Sequence, residues 1–426
     1  MVRRIAAIPR VKIVGGGLAG LSAAVALASL DWQVDLYESK PFLGGRATSF
    51  PVRPDEPGSE RIDNCQHVLL RCCDNLMDFY RRCGVAGKIR FYDELYFVRP
   101  GGAVDTLRPG PLPYPAHLAG SFVRFGFLSW SDKLTLAQDL LALLKRHGDA
   151  ALERMTMAEW LLSRKVSANS YQRFWRPILV SALNEEPERA SAHAAFQVFA
   201  EGLLGSKTSY EMGVPAVPLA ELYDGAGISV RLHLREPVER IDPRSDEADV
   251  YISAVPYDRI SALLPDLDLN VEPFEHSPIT GVHLWFDRPV TALPHAVLLD
   301  RTMQWMFRKS ETYLQCVVSA SRDLLTMSRG DIIDLARKDL AEYFPEVRNA
   351  QLVRAHVLKE AKATYSIRPG LTAHRPTAET KYENVFLAGD WTNTNWPATM
   401  EGAVRSGYLA AEFASRSQGT AARFLI

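Results

Sequence analysis

Apolar and polar positions along this chain fall into short blocks whose period shifts between strand-like and helix-like. Val11 to Val14 is a short apolar run ahead of glycines, as expected of a buried parallel strand. Leu18 to Leu30 is rich in alanine and predicts a closely packed helix, and Val34 to Tyr37 predicts the next strand, ended by Glu38. Asn75 to Arg82 predicts a helix stopping near Gly84, and residues 100 to 115, rich in Gly and Pro, predict a loop or linker. From Ser131 to His147 apolar residues recur at 134, 137, 140, 141 and 144, one face of a helix, with Ser131 as N-cap and Gly148 as stop. Thr156-Met157-Ala158-Glu159 is a capping box opening another helix, and helical pattern persists to about Leu204.

Downstream, strand periods return. Val214 to Tyr223 holds two prolines before a helix-like Leu-Ala-Glu-Leu. Val230 to Ile241 predicts a strand with Pro237-Val238-Glu239 at its centre, and Ala248 to Val255 predicts a buried one. Thr280 to Phe286 alternates, and Tyr313 to Ala320 is a further strand. Ile332 to Tyr343 reads as an amphipathic helix, and Met400 to Ala414 as the closing helix.

The glycines after the first strand carry chemistry. Gly15, Gly17 and Gly20 make a G-x-G-x-x-G turn between strand and helix. The first permits the tight turn, the second lets backbone approach a pyrophosphate, and the third lets helix and strand pack closely. Leu18 and Ala19 open the helix, whose free N–H groups and positive dipole end face the phosphates. Glu38, followed by Ser39, lies about 20 residues on, placed to bond an adenosine ribose.

Composition narrows the class. The chain has 426 residues, 47% hydrophobic and 23% charged, enough for two domains. A net charge of −1 offers no basic field to nucleic acid. Five cysteines without C-x-x-C read as reduced thiols of a cytoplasmic protein, with no zinc site. No uncharged apolar run approaches the length of a bilayer span. Arg3, Arg4 and Arg10 bracket an apolar stretch too short for a secretory signal.

Gly44-Gly45-Arg46-Ala47-Thr48-Ser49 resembles the G-G-R-x-x-S segment of the flavin amine oxidase and phytoene desaturase superfamily, and Gly389-Asp390 resembles its C-terminal flavin element. The resemblance implies FAD, held at both ends of the chain. Arg46 and its neighbours would meet the diphosphate, for which a permanently charged, forked guanidinium is suited. Asp390 would bond the ribityl or diphosphate region. The implied cofactor set extends to Gln66, His67, Val238, Ala254, Thr399, Met400 and Ala403. The implied fold is α/β: a discontinuous Rossmann-type FAD-binding domain from residues 1–72, 205–258 and 360–426, and a mixed-sheet substrate domain from 73–204 and 259–359. Residues 115–204 would form a mostly helical cap.

A narrower likeness lies in the middle. Phe174-Trp175-Arg176-Pro177 and Ser181 to Ala192 resemble the hydroxysqualene dehydroxylases of hopanoid synthesis, as do Asp63 to Leu70 and Pro397 to Ala403. Cys65 departs from the glycine of that pattern, and the stretch from Ile241 to Asp249 is short. The likeness implies reductive removal of an allylic hydroxyl, with hydride from reduced flavin quenching the cation. It implies a lipid-soluble triterpene substrate and an electron donor outside the chain.

Such a reaction needs an acid. Asp63, Gln66 and His67 would lie beside the flavin, and His67 is either the proton donor near neutral pH or a satisfied core histidine. Trp396, Trp391 and Phe174 are candidates to wall the polyene, with Tyr80 and Tyr365 weaker aromatic candidates. Glu401 at a helix start would cap or bond flavin hydroxyls. Phe122, Phe125, Phe127, Leu128 and Trp130, near Arg124 and Lys133, form either a cap core or a peripheral contact with the inner face of the cytoplasmic membrane. Three other readings compete: a carotenoid or polyprenyl desaturase, a non-catalytic prenyl-lipid escort, and an amine oxidase. Thr399 and Gly281 stand where amine oxidases commonly carry a cage aromatic and a lysine, which argues against the last.

Overall fold

The computed structural model describes residues 8–426 except 54, 57 and 115, so the reading of residues 3 to 7 lies outside the described residues. Two sheets organise the molecule. The first has five parallel strands in the order Arg231–Leu234, Gln33–Glu38, Arg10–Val14, Val250–Ser253 and Val385–Leu387. Its central strand follows from the first apolar run, and its members come from nearly the whole chain. Helix α1 (Leu18–Ala28) packs on the closing helix Met400–Ser417. Small residues permit this: a Cβ at Gly407 would stand 2.2 Å from the Ala19 carbonyl oxygen.

The second sheet is mixed. Its seven strands run in the order Leu352–Tyr365, His276–Phe286, Tyr313–Ser319, Trp305–Arg308, His295–Leu298, Leu95–Val98 and Val104–Leu107. Only His295–Leu298 and Leu95–Val98 pair in parallel. Residues 116–203 are helical and bury a core rich in aromatic rings, including Trp160, Phe174, Trp175, Phe196 and Phe199. Two of its segments, Tyr171–Trp175 and Val198–Leu203, are π-helical. The architecture is therefore α/β with a mixed second sheet and a helical insert, as the resemblance implies.

Several expectations shift. Helix α2 (Asp74–Arg82) packs on α1 and the closing helix, and its Leu76, Phe79 and Tyr80 share their core. Strand Leu352–Tyr365 pairs with His276–Phe286 on both sides of residue 360, so no break in the fold falls there. The Gly- and Pro-rich stretch is not all loop: Gly101 and Gly102, both at positive φ, turn a hairpin into strand Val104–Leu107. The strand expected over 230–241 ends at Leu234, because Arg235 takes φ +61 and Pro237 has no N–H to give. Val238 lies beyond that end, half-buried in unpaired backbone.

After α3 (Ala119–Arg124) comes α4 (Trp130–Arg146), capped by Ser129 rather than Ser131. Ser129 is extended, its Oγ accepts from the Asp132 N–H, and its own N–H donates to the Asp132 carboxylate. The buried side of α4 is Asp132, Leu136, Asp139, Leu140 and Leu143. Leu134, Ala137 and Leu141, which periodicity places on one face with Leu140 and Leu144, are exposed. Phe125, Phe127 and Leu128 are core, whereas Trp130 is exposed.

Candidate functional site

The glycine turn is enforced by contact. Gly15 sits at φ +114, and a Cβ there would stand 2.7 Å from the Ala254 carbonyl oxygen, which closes the position to any other residue. Gly17 is the opposite case, since a Cβ there would meet nothing nearer than the Gly45 Cα at 3.9 Å. The space ahead of α1 is open. Its first turn has no side-chain cap and no acid, so its leading N–H groups remain for an anion. The Gly44 N–H donates to the Gly16 carbonyl at 2.8 Å and brings the second glycine pair against the first.

Glu38 is oriented from within. Its carboxylate accepts from the Gly16 and Lys40 N–H groups, both at 2.8 Å, and from the Ser39 hydroxyl at 3.1 Å. Arg46 and Asp390, from opposite ends of the chain, pair at 2.5 Å. Ala47 is buried and holds the loop through its main chain, its carbonyl accepting from the Tyr223 hydroxyl at 2.6 Å. Asn64 donates to the Arg46 carbonyl at 2.7 Å and so ties this loop to residues 63–67. Gly389 (φ +139) donates its N–H to Ser406, and Thr399 caps the closing helix by accepting from the Gly402 N–H at 3.1 Å, with Met400 and Ala403 in its first turn.

Asp63 and Gln66 meet at a residue that sequence reasoning missed. Lys309 Nζ lies 3.3 Å from the Asp63 carboxylate and donates to Gln66 Oε1 at 3.1 Å. The buried Asp63 also accepts from the Ser49 hydroxyl at 2.7 Å and the Leu219 N–H at 2.9 Å. Lys309 follows strand Trp305–Arg308, and no spacing in the sequence links it to residue 63.

His67 differs from its expected part. Burial pushes its ring down to about 4, and Asp63 pulls it back only in part. It is therefore neutral near pH 7 and is a poor source of an acidic proton there. A second histidine, His283, shares this neighbourhood. It is held down to about 3 by burial and then by the His356 charge, and bonds the Tyr313 hydroxyl at 2.6 Å. Cys65 behaves as a small hydrophobe among Met212, Phe307 and Val317, its thiol pushed up to about 12 by burial.

An almost wholly apolar cavity runs beside this segment. Leu70, Phe97, Ile178, Leu203, Met212 and Trp305 line it, with Trp396, Thr399 and Met400. The second π-helical segment lines it through Val198, Glu201, Gly202 and Leu203, a placement that periodicity in the sequence could not show. Glu401 reaches its edge but uses its carboxylate on Asn75 and the Leu76 N–H at 2.7 Å, so it caps α2. Of the aromatic candidates only Trp396 lines the cavity. Phe174 is buried against Phe122, Trp175 and Phe199, and Trp391 is buried with its Nε1 donating to the Val255 carbonyl. Tyr80 is core behind α2.

Among the described residues the buried His67 Nε2 and Tyr365 Oη have no hydrogen-bond partner, and Tyr365 lies in the field of Arg46 and Asp390. Open space at Gly17, an uncapped helix start and these polar atoms fit a large, polar, doubly anionic cofactor such as FAD. No group of three or more metal-ligating side chains occurs among the described residues.

Known proteins agree with this geometry. Residues 18–413 match the family described as flavin containing amine oxidoreductase. The chain is 30% identical to a probable zeta-carotene desaturase of Synechococcus elongatus, over 97% of this chain and 100% of that one. It is equally, 30%, identical to the hydroxysqualene dehydroxylase of Sinorhizobium fredii, over 96% and 99% of the two chains. Among solved structures, cyclohexylamine oxidase from Brevibacterium oxydans superposes with a TM-score of 0.68 at 17% identity, covering 96% of this chain and all of that one. The chain thus belongs to the flavin containing amine oxidoreductase family, as an FAD-dependent oxidoreductase of the superfamily that includes the phytoene and carotene desaturases.

Proposed function

We propose that this oxidoreductase removes the hydroxyl group of hydroxysqualene reductively, giving squalene and water. The observation that carries the reading is Lys309, a cation held by Asp63 and Gln66 a few residues along the chain from Val68 to Leu70 and Trp305, which line an apolar cavity. Loss of an allylic hydroxyl needs a proton donor, whereas oxidative desaturation of a polyene needs none for the leaving group. The likeness to hydroxysqualene dehydroxylase supports the same substrate class.

FAD would be held by the Gly15–Gly20 turn, Glu38, Gly44 to Arg46 and Asp390, and in its reduced form supplies the hydride. The chain's own residues do the remainder. Lys309 donates an Nζ proton to the departing hydroxyl. Asp63 fixes that ammonium and its negative charge favours the allylic cation left behind. The apolar walls keep water from capturing the cation. The equal likeness to a carotene desaturase favours a second reading, in which a polyene would lose a hydride, for which oxidised flavin would be the acceptor, and a neighbouring proton to form a new double bond.

Anaerobic incubation of the photoreduced holoenzyme with hydroxysqualene separates the two. Squalene formed in step with flavin reoxidation is the expected result. Flavin that stays reduced with hydroxysqualene, together with oxidised enzyme that desaturates zeta-carotene, overturns the proposal in favour of the second reading.

A further inference from the structure

Helix α4 turns an apolar stripe outward. Trp130 and Leu134 are each 67% exposed and Leu141 58%, and Ala137 between them is exposed as well. At 3.6 residues per turn these positions fall within about 60° of arc. The helix buries a different side, through Leu136, Leu140 and Leu143. It is therefore apolar on two sides, and one of them has nothing packed over it among the described residues.

Charge on the outward side has one sign. The two acids of α4 point inward: Asp132 bonds Ser129, Ser167 and Asn169, and Asp139 pairs with Arg164. Lys133 and Lys145 flank the stripe on either edge, and Lys133 lies over the Trp130 ring at 4.6 Å. Lys133 also donates to the Val123 carbonyl at 2.7 Å, which joins α4 to the exposed Val123 and Arg124 of α3. A chain of net charge −1 thus gathers an apolar, cationic surface at one place. That place adjoins the cavity: His147, just past the end of α4, stands 3.8 Å from the carboxylate of Glu201, one of the residues around the cavity.

We propose that the outward face of α4, with Val123 and Arg124, docks on an anionic lipid bilayer and sets the Glu201 side of the cavity against it. An exposed tryptophan suits the headgroup boundary, leucines suit the acyl region below it, and lysines at the edges of the stripe meet lipid phosphates. None of these surface residues lines the cavity, so the docking face is independent of the proposed reaction.

The test is cosedimentation of the full-length holoenzyme with vesicles of phosphatidylcholine alone or mixed with phosphatidylglycerol. The enzyme is expected to pellet with the mixed vesicles and less so as salt rises. Leu134→Glu with Leu141→Glu, and separately Lys133→Glu with Lys145→Glu, should weaken binding by roughly tenfold or more, with flavin content unchanged because these side chains face solvent. Equal pelleting of wild type and both variants overturns the proposal, as does wild type that ignores anionic vesicles. A concentration-dependent dimer lost in Leu134→Glu with Leu141→Glu, without vesicle binding, would make the face a contact between two copies and also overturn it.

Discussion

Lys309 and His67 divide the polar work of the site between a cation and a neutral ring. If Lys309 gives the proton, Lys309→Met should slow single-turnover squalene formation by roughly a hundredfold or more while flavin content holds. His67→Ala should stay near the wild-type rate; a collapse confined to His67→Ala would return the acid role to the histidine. The ring also has a stability signature. His67 is lowered from 6.5 to about 4, so the unfolded chain binds a proton that the fold refuses, and stability falls as pH drops through 6.5 until about 4. Between pH 7 and 5 this amounts to roughly 2 kcal/mol at most, and the urea-derived pH difference should shrink by that amount in His67→Gln. Gly17→Val should place a side chain in the open space before α1 and give folded, colourless protein; a full flavin spectrum would refute that use of the space. Gly17 was legible because its strand, turn and helix are contiguous. Lys309 was not, because its partner Asp63 is 246 residues away and a single lysine after a strand has no pattern to betray it.

Elements show why local signals succeed and where they stop. The capping box at Thr156 and Glu159 was readable, since both bonds are made within four residues. At α4 the same chemistry sits two residues earlier than expected, because Asp132 completes a box with Ser129. Ser129→Ala should therefore cost about 1 kcal/mol in denaturant unfolding and Ser131→Ala much less. Equal costs would move the cap back to Ser131. Periodicity also put Leu134, Ala137, Leu140, Leu141 and Leu144 on one face of α4, of which only Leu140 is buried. Apolar spacing identifies a stripe but not what covers it, and here buried Asp132 and Asp139 take interior places through Ser167, Asn169 and Arg164. Strand Leu352–Tyr365 escaped detection for a related reason. It is the edge of its sheet and carries Lys359, Glu360 and Lys362 among its apolar residues, which blurs the alternation.

At the scale of the molecule, the family takes its description from amines, yet this chain's cavity carries Thr399 rather than an aromatic cage, and strand His276–Phe286 carries Gly281 rather than a lysine. Peroxide release with primary amines and polyamines should stay below about 1 per second, the low end of ordinary enzyme turnover. Faster release would make amine oxidation the better account. The two-ended fold was legible because glycine fingerprints mark both ends, whereas the strand order and register of the mixed sheet between them emerged only from its pairing. The pairing of Arg46 with Asp390 spans 344 residues. At a synthesis rate of about 5–20 residues per second, the second partner leaves the ribosome roughly 20–70 seconds after the first. Through that interval the nascent chain has its glycine turn but not the last strand of its sheet or the helix that covers it. The Arg46–Asp390 pair is therefore complete only once residue 390 has emerged, and until then the apolar cavity also lacks Trp396, Thr399 and Met400 from its walls.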